Sequence, residues 1–123
     1  MSERKKILVV DDDEAIIDYL HAKLGTLYDV VSTNAPENVL RLAKNELPHL
    51  IICDIDMPEM DGGDVSRELF TDAQTRDIPM LFLTGLLSPT DAKAVSGQIG
   101  GRVGISKHAP VEELLARIKA MVR

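Results

Sequence analysis

A chain of 123 residues, 45% hydrophobic and 28% charged, has the size and make-up of one globular domain with a full core. Its net charge of −6 speaks against a nucleic-acid groove and is compatible with a basic protein partner or a divalent cation. One cysteine rules out an internal disulfide, no stretch approaches a membrane span, and the apolar run Ile7 to Val10 is too short for a signal peptide; the expectation is a soluble, cytoplasmic domain.

Taken in order, Ile7-Leu8-Val9-Val10 is an apolar run without alternation, the pattern of a strand buried on both faces. It ends in Asp11-Asp12-Asp13-Glu14. Ile16, Ile17, Leu20 and Leu24 follow at helical spacing, with Gly25 as a natural stop. Tyr28 to Ser32 reads as a second, shorter strand. Pro36 suits the first turn of a helix, Val39, Leu40, Leu42, Ala43 and Leu47 supply its apolar face, and Pro48 ends it. A third strand, Ile51-Ile52-Cys53, stops at Asp54, with Cys53 packing as a small hydrophobe. The turn pairs Met57-Pro58 and Asp61-Gly62 come behind it.

Val65, Leu69 and Phe70 mark a third helix, and Pro79 to Thr84 is a fourth apolar run that again ends in a polar residue. Ser88 caps a fourth helix with Pro89 at its first position, running to about Gln98. With only Ala92, Val95 and Ile99 to bury, that helix is predicted to be loosely held. Val103 to Lys107 is a weak fifth strand, thinned by Gly104. Val111, Leu114, Leu115, Ile118, Met121 and Val122 give the clearest amphipathic helix of the chain. Strand and helix alternate five times across a single domain, residues 1–123 with a core of about 5–122, which calls for a parallel sheet covered by helices on both faces.

Four strands end in ligating or reactive side chains: Asp11-Asp12, Asp54, Thr84 and Lys107. A parallel sheet gathers its strand ends at one edge, where ligands bind. Three carboxylates there resist full ionisation unless a cation holds them. An all-oxygen set with few protein ligands suits Mg²⁺. Lysine adds a compact positive charge for an oxyanion, and Thr84 a hydroxyl donor. Phosphoryl transfer turns on positioning and charge neutralisation, and these are its parts, with Asp54 as candidate nucleophile.

With these residues in place, the chain resembles the receiver domains of two-component response regulators, essentially end to end, and is similar to the single-domain chemotaxis type. The resemblance is carried by Ile7 to Asp13, by Asp54 with Met57-Pro58 and Met60-Asp61-Gly62, by Leu83-Thr84-Gly85, and by Lys107 ahead of the helix that starts Val111-Glu112-Glu113. It implies an α/β, flavodoxin-like, doubly wound sheet of five parallel strands in the order 2-1-3-4-5, with five helices. It also implies that Asp54 takes a phosphoryl group from a phosphohistidine of a histidine kinase or histidine phosphotransfer protein. Mg²⁺ would be held by Asp12 directly, by Asp11 largely through water, by Asp54, and by the main-chain carbonyl of Asp56. Thr84 and Lys107 would hold the phosphoryl oxygens. Output to a downstream protein or domain would run through the fourth helix, fifth strand and fifth helix, with a homodimer through the fifth helix left open.

Three positions depart from the family pattern. His108 stands where proline usually follows the lysine, often in cis; a non-proline cis bond costs about 2.5–4 kcal/mol, so a trans bond is expected. Gly104 stands where an aromatic usually reports the phosphorylated state, and the fifth strand holds no other aromatic. Asp56 is acidic two residues after the acceptor.

Singly, each feature has a plainer reading. Asp11 to Glu14 fit a helix start, Asp54 a turn, Thr84 a strand and Lys107 a solvated surface. His21, His49 and His108 lack the spacing of a metal site or triad. Leu86 and Leu87 lean towards an apolar contact surface over core. Asp54-Ile55-Asp56 also resembles the nucleophile motif of haloacid-dehalogenase-type phosphatases, but that motif follows the first strand, is usually followed by Thr or Val, and belongs to a longer fold. The stronger rival is a pseudo-receiver, a protein-binding module that keeps the carboxylates and no longer switches. Gly104 and His108 favour it; retention of the five acceptor-site side chains opposes it.

Overall fold

A computed structural model describes residues 4–55, 57, 60–85, 98–99 and 102–122, with the backbone alone at 98–99 and 102–103. The elements are β1 (Lys6–Val10), α1 (Glu14–Leu24), β2 (Asp29–Thr33), a 3₁₀ turn (Pro36–Asn38), α2 (Val39–Glu46), β3 (Leu50–Asp54), α3 (Gly62–Phe70), β4 (Met80–Thr84), β5 (Gln98–Ile99), β6 (Arg102–Ser106) and α4 (Val111–Met121). The predicted helix over 88–98 lies outside the described residues except at its end, as do Leu86, Leu87, Pro58 and Asp56.

The sheet runs β2-β1-β3-β4-β6-β5. Its first five strands are parallel, so the expected flavodoxin-like order 2-1-3-4-5 holds, with β6 as the fifth parallel strand. One strand was not expected. Gln98–Ile99, read as a helix end, pairs antiparallel with Arg102–Val103. Residues 100 and 101 between them are both glycine, the dipeptide that suits a two-residue hairpin loop.

The apolar runs without alternation are buried on both sides, as their pattern requires. Ile7, Val9, Ile52 and Leu81 face the layer formed by α1 and α4, where Leu20, Leu24 and Ile118 close the core. Leu8, Ile51, Cys53 and Phe82 face α2 and α3. Two apolar residues assigned to helix faces turn outward. Leu47 is 57% exposed, because α2 ends at Glu46 and the chain turns through a left-handed Leu47 (φ 46°) before Pro48. Phe70 is 61% exposed at the last turn of α3, since Val65 and Leu69 already fill the buried stripe.

Candidate functional site

The ends of β1, β3, β4 and β6 hand their side chains to the carboxyl edge. Asp11 follows β1: its N–H donates to Thr33 O (3.3 Å), and its Oδ1 accepts the Asp13 N–H (2.9 Å). Asp13 in turn caps α1, accepting from Ala15 N–H. The acidic run is therefore both a helix start and a ligand-bearing loop, with Asp13 and Glu14 serving the helix and Asp11 turned to the site. Asp54 ends β3 and is 2% exposed. Beside it Ile55 N–H donates to Leu83 O (3.1 Å), tying the strand end to β4.

The loop after Asp54 is closed by Gly62, whose N–H donates to Ile55 O (3.1 Å). A Cβ there would lie 2.9 Å from Ile55 Cα and 3.0 Å from Phe82 Cε1, so only glycine lets α3 start this close to the end of β3. Asp61 then opens α3 in a reciprocal capping box with Asp64. The Asp61-Gly62 pair thus serves the scaffold of the site rather than its chemistry.

The structure brings the carboxylates together. Asp11, Asp12 and Asp54 each offer an oxygen, all within 4.8 Å of one another, with Asp11 and Asp54 buried and Asp12 exposed. Lys107 faces them from the end of β6, its Nζ 3.0 Å from Asp11 Oδ2 and 3.3 Å from Asp54 Oδ2. Burial pulls its ammonium down, but the two carboxylates outweigh burial and hold its pKa above the ordinary lysine value. Burial pushes the Asp11 carboxyl up; the Asp13 N–H and Lys107 oppose that and Asp12 adds to it. Thr84 is buried at the end of β4 and pairs in register with Ser106. Its carbonyl accepts the Lys107 N–H (2.8 Å).

A divalent cation fits this donor set. Asp11 Oδ2 is buried, and among the described residues no hydrogen bond of good geometry satisfies it; it has only the ionic contact with Lys107. Carboxylates gathered around one point, with the buried Asp11 Oδ2 among them short of a donor, are what a hard cation stabilises.

Other predicted features fall where the chain order put them. No cis peptide occurs among the described residues, so Lys107–His108 is trans, as expected. Gly104 is buried, and the aromatic beside it in the sheet is Phe82 on β4. His49 lies at the opposite edge, its Nδ1 accepting the Lys6 N–H (3.0 Å), and His21 Nε2 is 2.9 Å from Ser32 Oγ. Ser106 was seen in the sequence only as part of the fifth strand. It is 2% exposed, and its Oγ accepts the His108 N–H (3.1 Å). The signal available was a short hydroxyl residue beside a lysine that no proline follows.

An acidic pocket and a lysine at the carboxyl edge of a five-stranded parallel sheet define a receiver-type fold. The chain belongs to the response regulator receiver domain family, whose model matches residues 7–119. The alkaline phosphatase synthesis transcriptional regulatory protein PhoP of Bacillus subtilis is 36% identical over 120 residues, covering 97% of this chain and 49% of PhoP. The chain spans about half the length of the transcriptional regulators it matches. Among solved structures, the Vibrio cholerae chemotaxis protein CheY4 superposes with a TM-score of 0.80 at 27% identity, covering 96% of this chain and 98% of that one. The BeF3-activated N-terminal receiver domain of Klebsiella pneumoniae RstA gives 0.79 at 31% identity, covering 97% and 99%. Among the described residues no helix is long and apolar enough to cross a membrane.

Proposed function

We propose that this receiver domain accepts a phosphoryl group on Asp54 from a phosphohistidine of a histidine kinase or phosphotransfer protein, in the cytoplasm, and passes the signal on by protein contact. The observation that carries the reading is the convergence of Asp11, Asp12 and Asp54 within 4.8 Å, with the Lys107 ammonium against the two buried ones. An oxygen of Asp54 forms the new P–O bond as the P–N bond to the donor imidazole breaks, and the imidazole leaves with the bonding pair and takes a proton. Lys107 and Thr84 then hold the phosphoryl oxygens, the first by charge and the second by its hydroxyl. Asp12, Asp54 and Asp11 would hold Mg²⁺; the carbonyl of Asp56 would complete that set by resemblance and lies outside the described residues. Mg²⁺ supplies neutralisation of the carboxylate and phosphoryl charges. The domain modifies itself rather than turning over an external substrate.

Drawing Lys107 and Thr84 towards a modified Asp54 pulls on β4 and β6, whose ends they occupy, and so on the surface beyond them. The test is intact mass after incubation with Mg²⁺ and phosphoramidate. One added phosphoryl group is expected, absent in Asp54→Ala and with EDTA. Mg²⁺ binding without an adduct would sink the acceptor reading and favour the non-switching module, for which Gly104 in β6 is the specific support.

A further inference from the structure

We infer that Ser106 is a positioning residue for Lys107, its side-chain oxygen clamping the peptide that follows the lysine and so aiming the ammonium at Asp54. This role presupposes the phosphoryl-accepting reading of Asp54 and Lys107. A lysine head rides on a flexible four-carbon stem, so its place depends on how firmly its own backbone is held on either side.

On the near side the hold comes from the sheet, through the Lys107 N–H to Thr84 O (2.8 Å). On the far side no regular element takes over at once. α4 begins at Val111, and Pro110 before it provides no side-chain cap. Among the described residues, the two hydrogen bonds donated by the His108 and Ala109 N–H groups end on Ser106. Its carbonyl accepts the Ala109 N–H (3.1 Å), and its Oγ accepts the His108 N–H (3.1 Å). Ser106 is 2% exposed and stands opposite Thr84 in the sheet, so this clamp is part of the wall of the site.

The residue types explain each other. A short hydroxyl reaches a main-chain N–H two residues ahead, as in a serine turn. A proline at 108 would bring no N–H into this part-buried place. His108 does bring one, and Ser106 meets it. Lys107 is thereby held at its own N–H and at the next peptide, while its Nζ stays 3.0 Å from Asp11 and 3.3 Å from Asp54.

The experiment compares wild type, Ser106→Ala and Ser106→Thr in three readouts: hydrogen exchange of the His108 amide, phosphoryl uptake from phosphoramidate by intact mass, and Mg²⁺ affinity by calorimetry. In Ser106→Ala the His108 amide is expected to exchange faster and uptake to slow roughly three- to tenfold. Mg²⁺ affinity is expected to be no weaker, because Ser106 offers the ion no ligand; Ser106→Thr keeps the hydroxyl and restores both altered readouts. Should Ser106→Ala fail to fold, Ser106→Cys keeps the shape with a poorer acceptor and carries the same expectation. Unchanged exchange at His108, freed exchange with wild-type uptake, or a fall in Mg²⁺ affinity parallel to the rate would each overturn the clamp alone. Wild-type protein that takes up no phosphoryl group would overturn the acceptor reading and the clamp with it.

Discussion

Asp11 and Asp54 stand on the middle strands of the sheet, and Lys107 stands near its rim. In the middle, Ile7 to Val10 and Leu50 to Cys53 are buried on both faces, and the carboxylates inherit their positions from that packing. Towards the rim, among the described residues β6 is bordered on its far side by the two residues of β5, and Gly104 gives the strand no side chain to pack. There the ammonium is located by single hydrogen bonds: Lys107 to Thr84, and His108 and Ala109 to Ser106. Packing distributes its hold over many contacts and yields little when one is lost, whereas a bond-held loop depends on each bond separately. On the proposed function, the carboxylate that attacks phosphorus is built into the core, and the ammonium that answers the new charge is hung on a loop.

The largest break in this comparison is expected in the middle. Ile52 has no exposed surface and lies between Val9 of β1 and Leu81 of β4. Ile52→Ala should lower stability by about 2–5 kcal/mol, measured by urea unfolding. A loss under 1 kcal/mol would mean that the centre collapses around the gap and does not hold Asp54 by packing.

Next comes the ion pair that joins the two regions. In EDTA, Lys107→Ala should lower stability by about 1–3 kcal/mol, less than for a fully enclosed pair because the ammonium side chain keeps 18% of its exposure. Added Mg²⁺ should restore most of the loss, since it neutralises the same carboxylates. If Mg²⁺ stabilises the variant no more than wild type, Lys107 and the ion do not share the site.

The smallest effect has the opposite sign. Burial raises the Asp11 pKa in the folded state. The folded chain therefore binds that proton more tightly than the unfolded one, and the associated stability is full below the unfolded pKa and lost as pH rises through the folded value. Without metal, Asp11→Asn should raise the urea midpoint at neutral pH, and the gain should vanish as pH falls towards 4, the range of an ordinary Asp. A gain that persists unchanged at low pH would assign the effect to something other than the buried charge.

Legibility in the sequence follows the same division. The middle strands are readable because burial on both faces leaves an unbroken apolar run that ends abruptly at a carboxylate, as at Val10-Asp11 and Cys53-Asp54. The order of strands came from resemblance, and the pairing agrees with it. The rim is less readable. Gln98–Ile99 looked like the end of a weak helix because a two-residue strand has no periodicity to detect, although Gly100-Gly101 beside it is a hairpin signal. Leu47 and Phe70 were assigned inward by spacing, but each sits at a helix end, where the chain has left the buried stripe. Ser106 could not be read at all, since its bond to His108 depends on the shape of a turn that follows the strand.

Cys53, the single thiol of the chain, is fully enclosed one residue before Asp54, with its Sγ 3.3 Å from the Asp54 carbonyl. Burial, then the charges of Asp54, Asp11 and Asp61, push its pKa far up. An exposed thiolate is what attacks a thiol reagent, and the closed domain offers neither the anion nor access to the sulfur. Labelling must wait until β3 leaves its neighbours, and its rate counts those departures. The third strand therefore carries its own clock, placed where any event at the neighbouring carboxylate that tightens or loosens the sheet changes the rate at which it runs.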